Sequence, residues 1–207
     1  MLGSKQMVRK GYNRISYQYR DDQGRGEDAQ NMLPWLRWVE RRLKKGEPVL
    51  ELGCGMGIPA AKYFARNHSY LGVDLSDVQI RRAKKLVPQG KFRRGDMSRL
   101  RFPAARFQAV LGFYSLIHLP LKEQRPLLRR IYRWLKPGGV LAAMLGHHRW
   151  TGREKDWFGA EMFWSHVDQR TYSRWLEEAG FEIVHHQPVK EGKLGKAVHE
   201  LFFCRKK

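Results

Sequence analysis

Residues 49–57 read Val-Leu-Glu-Leu-Gly-Cys-Gly-Met-Gly. A short apolar strand runs directly into a loop with glycine at every second position. Glycine has no Cβ, so it takes backbone angles closed to other residues and lets a ligand lie against the main chain. A strand that stops in such a loop and turns into a helix opens a nucleotide-type pocket at the carboxyl edge of a sheet. The spacing narrows the ligand further. A dinucleotide fingerprint built on Gly53 and Gly55 requires a small residue at position 58, where helix and strand pack closely. The chain has Ile58 there, and Glu51 before the first glycine is not part of that fingerprint. No Gly-Lys-Ser/Thr follows, so the loop is not a phosphate-cradling P-loop.

Elements alternate on both sides of this loop. Tyr12, Ile15 and Tyr19 fit a helix over 5–20, followed by a polar break over 21–28. Met32, Trp35, Leu36, Val39 and Leu43 recur at helical intervals, with Gly46 as the stop behind Lys44 and Lys45. Strand 48–52 enters the glycine loop, and Pro59 suits the first turn of a helix reaching about residue 66. Strand 70–74 ends in Asp74, Ser76 caps a helix over 77–87, and a third strand over 91–96 ends in Asp96. A strand over 107–113, a helix over 121–135, a tight turn at Pro137-Gly138-Gly139 and a strand over 140–145 follow. A helix over 171–179, closed by Gly180, precedes an antiparallel pair over 181–186 and 197–204. Alternating strands and helices predict an α/β fold, a mostly parallel sheet with helices on both faces. The segment 146–168 lacks periodicity and is expected to be a long functional loop.

The 207 residues, 42% of them hydrophobic, suit one globular domain. It divides into helices over 1–45, a core over 46–145 and a cap plus C-terminal elements over 146–207. No apolar run reaches the ~18 residues that span a bilayer, and the stretch around Lys5, Arg9 and Lys10 lacks the apolar segment of a secretory signal. The two cysteines, Cys54 and Cys204, read as free thiols, which points to a reducing cytoplasm. Lys and Arg number 40 against 20 Asp and Glu, a formal charge of +20. Such a charge draws anionic partners. It also fits a generic basic surface: Lys122, Arg125, Arg129, Arg133 and Lys136 lie opposite Leu127, Leu128, Ile131 and Leu135 on one helix.

Glu51-Leu-Gly-Cys-Gly-Met-Gly57, Gly72-Val-Asp74, Gly95-Asp96-Met97 and Pro137-Gly-Gly139 occur in order. Together they resemble the class I S-adenosylmethionine-dependent methyltransferases, tightly over about 48–145. The resemblance implies a Rossmann-like, doubly wound sheet of seven strands, order 3-2-1-4-5-7-6, with the last strand antiparallel. It implies S-adenosylmethionine as cofactor and S-adenosylhomocysteine as product. The loop Gly53, Cys54, Gly55 and Gly57 would meet the methionine moiety and ribose, with Glu51 fixing the loop and favouring the ammonium. Asp74 resembles the residue that accepts both ribose hydroxyls, a bidentate match of two oxygens to a diol. Asp96 resembles the acceptor for the adenine amino group, with Met97 and Leu75 on the ring faces. Phe113 and Tyr114 would line the sulfonium side, and the stretch from Tyr12 to Tyr19 resembles the lid helix of small-molecule members.

Methyl transfer needs chiefly alignment of nucleophile, methyl and sulfur. A base is required only where the acceptor loses a proton. His118 is placed best for that, with His147, His148 and His166 as further candidates and Tyr114 nearby. The stretch Gly112-Phe-Tyr-Ser115 lacks the Asn-Pro-Pro-Tyr or Asp-Pro-Pro-Tyr of amino-directed DNA methyltransferases, and no Pro-Cys is present there. Gly146-His-His148 offers no acidic ligand after strand five, so no metal is expected. Trp150, Trp157 and Trp164, with Tyr12 and Tyr19, would wall a pocket for a planar or cationic group. The expectation is therefore an enzyme that methylates oxygen or nitrogen of a small, planar or aromatic metabolite. An RNA- or nucleotide-directed methyltransferase and a non-catalytic cofactor-binding protein are the alternatives. No membrane partner is expected, and the sequence leaves the acceptor and the oligomeric state open.

Overall fold

A computed structural model describes residues 3–22, 27–191 and 196–207. Two helices, α1 (Ser4–Tyr19) and α2 (Glu27–Glu40), precede β1 (Gly46–Leu52), α3 (Ala60–Phe64), β2 (His68–Asp74), α4 (Asp77–Leu86) and β3 (Lys91–Arg94). Then come β4 (Phe107–Gly112), α5 (Leu121–Trp134), β5 (Leu135–Gly146), β6 (Trp150–Trp157) and β7 (Ala160–His166). The chain ends with α6 (Gln169–Glu178), β8 (Phe181–Glu191) and β9 (Lys196–Lys206). The main sheet has the order β3-β2-β1-β4-β5-β9-β8, with β9 antiparallel to both neighbours. This is the expected seven-stranded topology. The final pair is renumbered only because β6 and β7 intervene.

The central strands read as continuous apolar runs because both faces are covered. Their period-two alternation sorts side chains into two cores. Val49, Ala109, Leu111, Val140, Ala142 and Met144 face a core shared with α2, α3 and α4. Leu50, Leu52, Val110, Leu141, Ala143 and Leu145 face the core under α5 and α6. Parallel register brings Leu50 beside both Leu71 and Val110, so the tips of β1, β2 and β4 finish close together. Ser76 caps α4 as expected, accepting from the Gln79 amide at 3.1 Å.

Three expectations need correction. The segment 146–168 is not a loop: β6 and β7 form a separate two-stranded antiparallel sheet, joined at Gly159, whose φ is +87°. Its aromatic residues sit on a hairpin held by tertiary packing, a pattern that neither helical nor strict strand periodicity reveals. Helix α2 ends at Glu40 rather than near Gly46, and Gly46 opens β1 with φ +85°. Of the polar break over 21–28, residues 23–26 lie outside the described residues, and α2 has begun by Glu27.

The hairpin and α1 form a third small core. Val8, Ile15, Ala160 and Met162 are buried together, with Tyr12, Tyr19, Trp157 and Trp164 packed around them. Gly11 permits this contact, since a Cβ there would lie 2.8 Å from the Met162 terminal methyl. Buried Gln124 of α5 ties the hairpin root down, donating to the carbonyls of Leu119 and Ser165 and accepting from Tyr172 at 2.6 Å. Buried Arg82 of α4 holds the end of α1 through the carbonyls of Ser16 and Arg20 and the Asp22 carboxylate. Among the described residues, no helix is long and apolar enough to cross a membrane.

Candidate functional site

The tips of β1, β2, β3 and β4 open into one cleft, roofed by α1, with about 990 Å³ of unfilled space including its open mouth. Parallel sheets bind ligands at this edge because the loops that follow the strands diverge there. The floor is backbone. Gly53 takes φ +75°, and a Cβ on it would lie 2.2 Å from the Ser115 Cβ. Ser115 is fixed in turn, its Oγ donating to the Leu52 carbonyl at 2.6 Å. The amides of Gly53 and Cys54 donate to the Val73 carbonyl at 2.7 and 3.1 Å, clamping the loop to β2.

Asp74 stands at the end of β2 and faces this floor. One carboxylate oxygen accepts the Gly55 amide at 2.9 Å and the other the Ser76 amide at 2.8 Å. Burial pushes the carboxyl above its ordinary range, against the lowering effect of those amides. Each oxygen keeps a further acceptor position, so a vicinal diol fits the donor deficit of this group. Glu51 is buried at the end of β1 and accepts the Tyr70 hydroxyl. Its pKa is raised to about 7 by burial, which outweighs that hydrogen bond and the Arg20 charge. A carboxyl so placed gains from an incoming ammonium.

Asp96 lies where β3 gives way to a 3₁₀ turn and accepts from the Ser98 amide and hydroxyl at 2.9 and 2.7 Å. Its second oxygen takes the Lys5 ammonium of α1 at 2.6 Å. Burial raises the carboxyl, but Lys5 and Ser98 prevail and hold it below the usual range. Lys5 also pairs with Glu123 at 2.7 Å, so α1 is latched across this end of the cleft. Met97 and Leu75 line the same end.

The opposite end is aromatic. Tyr12, Tyr19, Phe113 and Tyr114 line it, and Trp35 of α2 backs Phe113 at 5.9 Å between ring centroids. Tyr114 holds φ +53°, a left-handed conformation that bulky residues rarely adopt. His118 is buried between Tyr12 and Trp164. Its Nδ1 lies 2.8 Å from the Phe163 carbonyl, which can only accept, so Nδ1 carries the proton. Nε2 therefore accepts from the Tyr12 hydroxyl at 2.9 Å. Burial lowers the imidazole pKa to about 4, so the ring is neutral at neutral pH.

The expected residues divide cleanly by position. Glu51, Gly53, Cys54, Gly55, Asp74, Leu75, Asp96, Met97, Phe113, Tyr114, His118, Tyr12 and Tyr19 converge on the cleft. Gly57 does not: it packs below the loop, where a Cβ would crowd Ala61 and Phe92. His147, His148 and His166 also fall outside the cleft lining. His147 is bound to the buried Glu200 at 2.7 Å, and His166 to the His148 carbonyl. The three tryptophans do not wall the cleft either. Trp157 packs behind Tyr12 and Tyr19, Trp164 lies against His118 at 4.2 Å, and Trp150 is exposed. Lys5, Arg9 and Arg20 line the cleft without having been anticipated. Lys5 and Arg9 lie four residues apart on one face of α1 and Arg20 follows its last residue, but the sequence does not say what that face covers.

Residues 49–139 match a family profile described as a methyltransferase domain. Over 108 residues the chain is 35% identical to sterol 24-C-methyltransferase of Pneumocystis carinii, covering 49% of this chain and 28% of that protein. It is 29% identical over 151 residues to phosphoethanolamine N-methyltransferase 1 of Triticum aestivum, covering 69% and 30%. Both alignments thus span less than a third of the relative's length. Magnesium protoporphyrin IX methyltransferase of Synechocystis PCC 6803, solved with bound S-adenosylmethionine, superposes with a TM-score of 0.75 over 100% of this chain and 99% of that one. At 17% identity, that likeness is one of fold. Residues 49–139 thus carry the profile of a methyltransferase domain, on a sheet with the topology of the class I S-adenosylmethionine-dependent methyltransferase fold. S-adenosylmethionine is the cofactor of this class.

Proposed function

We propose that this chain transfers a methyl group from S-adenosylmethionine to an oxygen or nitrogen of a small acceptor held at the aromatic end of the cleft. The observation that carries the reading is the pairing of a carboxylate-lined floor with an aromatic chamber under one roof. In this reading Asp74 accepts the ribose diol, Glu51 favours the ammonium, and the bare backbone at Gly53 and Gly55 lies along the methionine end. Asp96, Met97 and Leu75 receive the adenine. Lys5, which pairs with Asp96, then shares that carboxylate with the ring's amino group. The cofactor supplies an activated methyl on sulfur.

The chain's own work is alignment and exclusion of water. Phe113 and Tyr114 border the reacting end, where the surrounding structure holds Tyr114 in its left-handed backbone conformation. His118 is a poor proton acceptor with so low a pKa. Its role is to accept the hydrogen bond of the Tyr12 hydroxyl, which aims the lone pairs of the Tyr12 oxygen at an N–H or O–H of the substrate. His118 is thus a positioning residue acting through Tyr12. Aromatic walls suit planar rings and cationic amines. The named relatives act on a sterol and on phosphoethanolamine, which supports a small acceptor.

The test is incubation of the purified chain with methyl-labelled cofactor and separate small-molecule and RNA fractions of an extract. Label appearing in low-mass products is expected. Label confined to RNA contradicts the small-acceptor reading.

A further inference from the structure

The chain's excess positive charge is not spread evenly. A groove between α5 and α6 is lined by Lys122, Arg125 and Arg129 of α5, Arg174 of α6 and Arg149 at the hairpin root, with Trp175 in its wall. Three separate elements thus bring five cations to one concavity, where like charges repel in the absence of a partner. Two carboxylates answer them: Glu178 pairs with Arg125 at 2.7 Å, and Asp168 lies 3.7 Å from Arg149. Lys122, Arg129 and Arg174 are exposed and pair with no carboxylate among the described residues.

The amount and kind of charge point to a ligand. A single phosphate group carries about −1.5 to −2, less than the uncompensated cations here, so a polyanion matches better than one phosphate. Residues 122 to 129 advance about 10 Å along α5, against about 3.4 Å per nucleotide along one strand of nucleic acid. That is room for about three phosphates. Four of the five cations are arginines, whose planar forks suit phosphate oxygens. Trp175 offers a ring to a base. The concave shape favours a strand over a bilayer, which presents a broad flat surface.

We propose that the α5–α6 groove docks single-stranded nucleic acid through its phosphate backbone. The groove lies outside the cofactor cleft, and the proposal does not require nucleic acid to be the methyl acceptor. The test is fluorescence anisotropy with a labelled single-stranded RNA of about 12 nucleotides, from about 50 to about 200 mM salt. Three proteins are compared: the unaltered chain, Lys122→Glu/Arg129→Glu/Arg174→Glu, and a control with equal charge change at a distal basic patch, Arg81→Glu/Lys84→Glu/Lys85→Glu. The groove variant is expected to bind at least about tenfold more weakly and to lose about two units of salt slope, roughly 0.7 per phosphate contact. The control should stay within about threefold of the parent. If the glutamate set unfolds the chain, the matching alanine set gives the same ranking with a loss of about fivefold. Equal losses in groove and control variants would mean a diffuse field and overturn the proposal. So would no RNA binding at about 50 mM salt, or groove-dependent binding to phosphatidylserine vesicles without RNA binding.

Discussion

The floor and the roof of the cleft are built by opposite means. The floor consists of strand tips: glycine amides, the Leu52 and Val73 carbonyls, and carboxylates at the ends of β1, β2 and β3. Its contacts join strand tips 19 to 63 residues apart, and they are made by backbone and short side chains. The roof joins α1, near one end of the chain, to a hairpin formed by 150–166. It is held by side chains: Gly11 against Met162, Tyr12 on His118, Lys5 on Asp96 and Arg82 on the end of α1. A backbone constraint fails abruptly when one atom is added. A packed roof loses its contacts a little at a time.

The largest effect is therefore expected on the floor. Gly53→Ala forces a Cβ into Ser115 at a left-handed φ. Backbone strain of about 1–2 kcal/mol and overpacking of about 1–3 kcal/mol should together destabilise the chain by about 2–5 kcal/mol in urea unfolding. Stability within about 0.5 kcal/mol of the parent would show that the floor yields as easily as the roof.

Glu51 gives the next largest effect, through pH. Its folded pKa of about 7 lies above the ordinary 4.5, so the folded state holds a proton that the unfolded state has released. Stability should therefore fall as pH rises from 4.5 to about 7, by roughly 3 kcal/mol in all. Glu51→Gln should remove that slope. Parallel pH profiles for the two proteins would mean that this carboxyl is not held protonated. Cofactor ammonium favours the ionised form, so S-adenosylhomocysteine should bind more tightly at pH 8 than at pH 6, and evenly in the glutamine variant.

On the roof, Tyr12→Phe leaves buried His118 Nε2 without its donor, at about 1–3 kcal/mol. Turnover should drop more than cofactor affinity does. An equal drop in both would place Tyr12 on the cofactor rather than the acceptor. The smallest change is Lys5→Met. Its ion pairs are partly exposed, so the loss should be no more than about 1 kcal/mol by thermal unfolding. A larger loss would make Lys5 a structural anchor of the cleft rather than a latch.

The same contrast explains what the sequence revealed. Strand order followed from the family resemblance, and the floor was legible because glycine spacing, strand-end acids and the Ser76 cap each act within a few residues. The roof was not. Trp157 and Trp164 were recognisable as aromatics of a cap, but they back the cleft lining instead of forming it, since Tyr12, Tyr19 and His118 stand in front. His147 was placed near the pocket by following β5, yet Glu200 on β9, a distant segment, draws it away. Lys5 and Arg20 gain meaning only when α1 lies over the strand tips. The basic stripe on α5 read as a solvated face, and only the fold sets α6 and Arg149 against it.

One titration addresses the central claim, that the buried carboxylate at the end of β2 grips the cofactor's sugar. Isothermal calorimetry with S-adenosylhomocysteine should show saturable binding to the unaltered chain. Asp74→Ala should weaken binding by about a hundredfold or more, as expected for two charge-assisted hydrogen bonds, with the circular dichroism spectrum unchanged. No saturable binding by the unaltered chain, or equal affinity in the folded variant, would contradict the account.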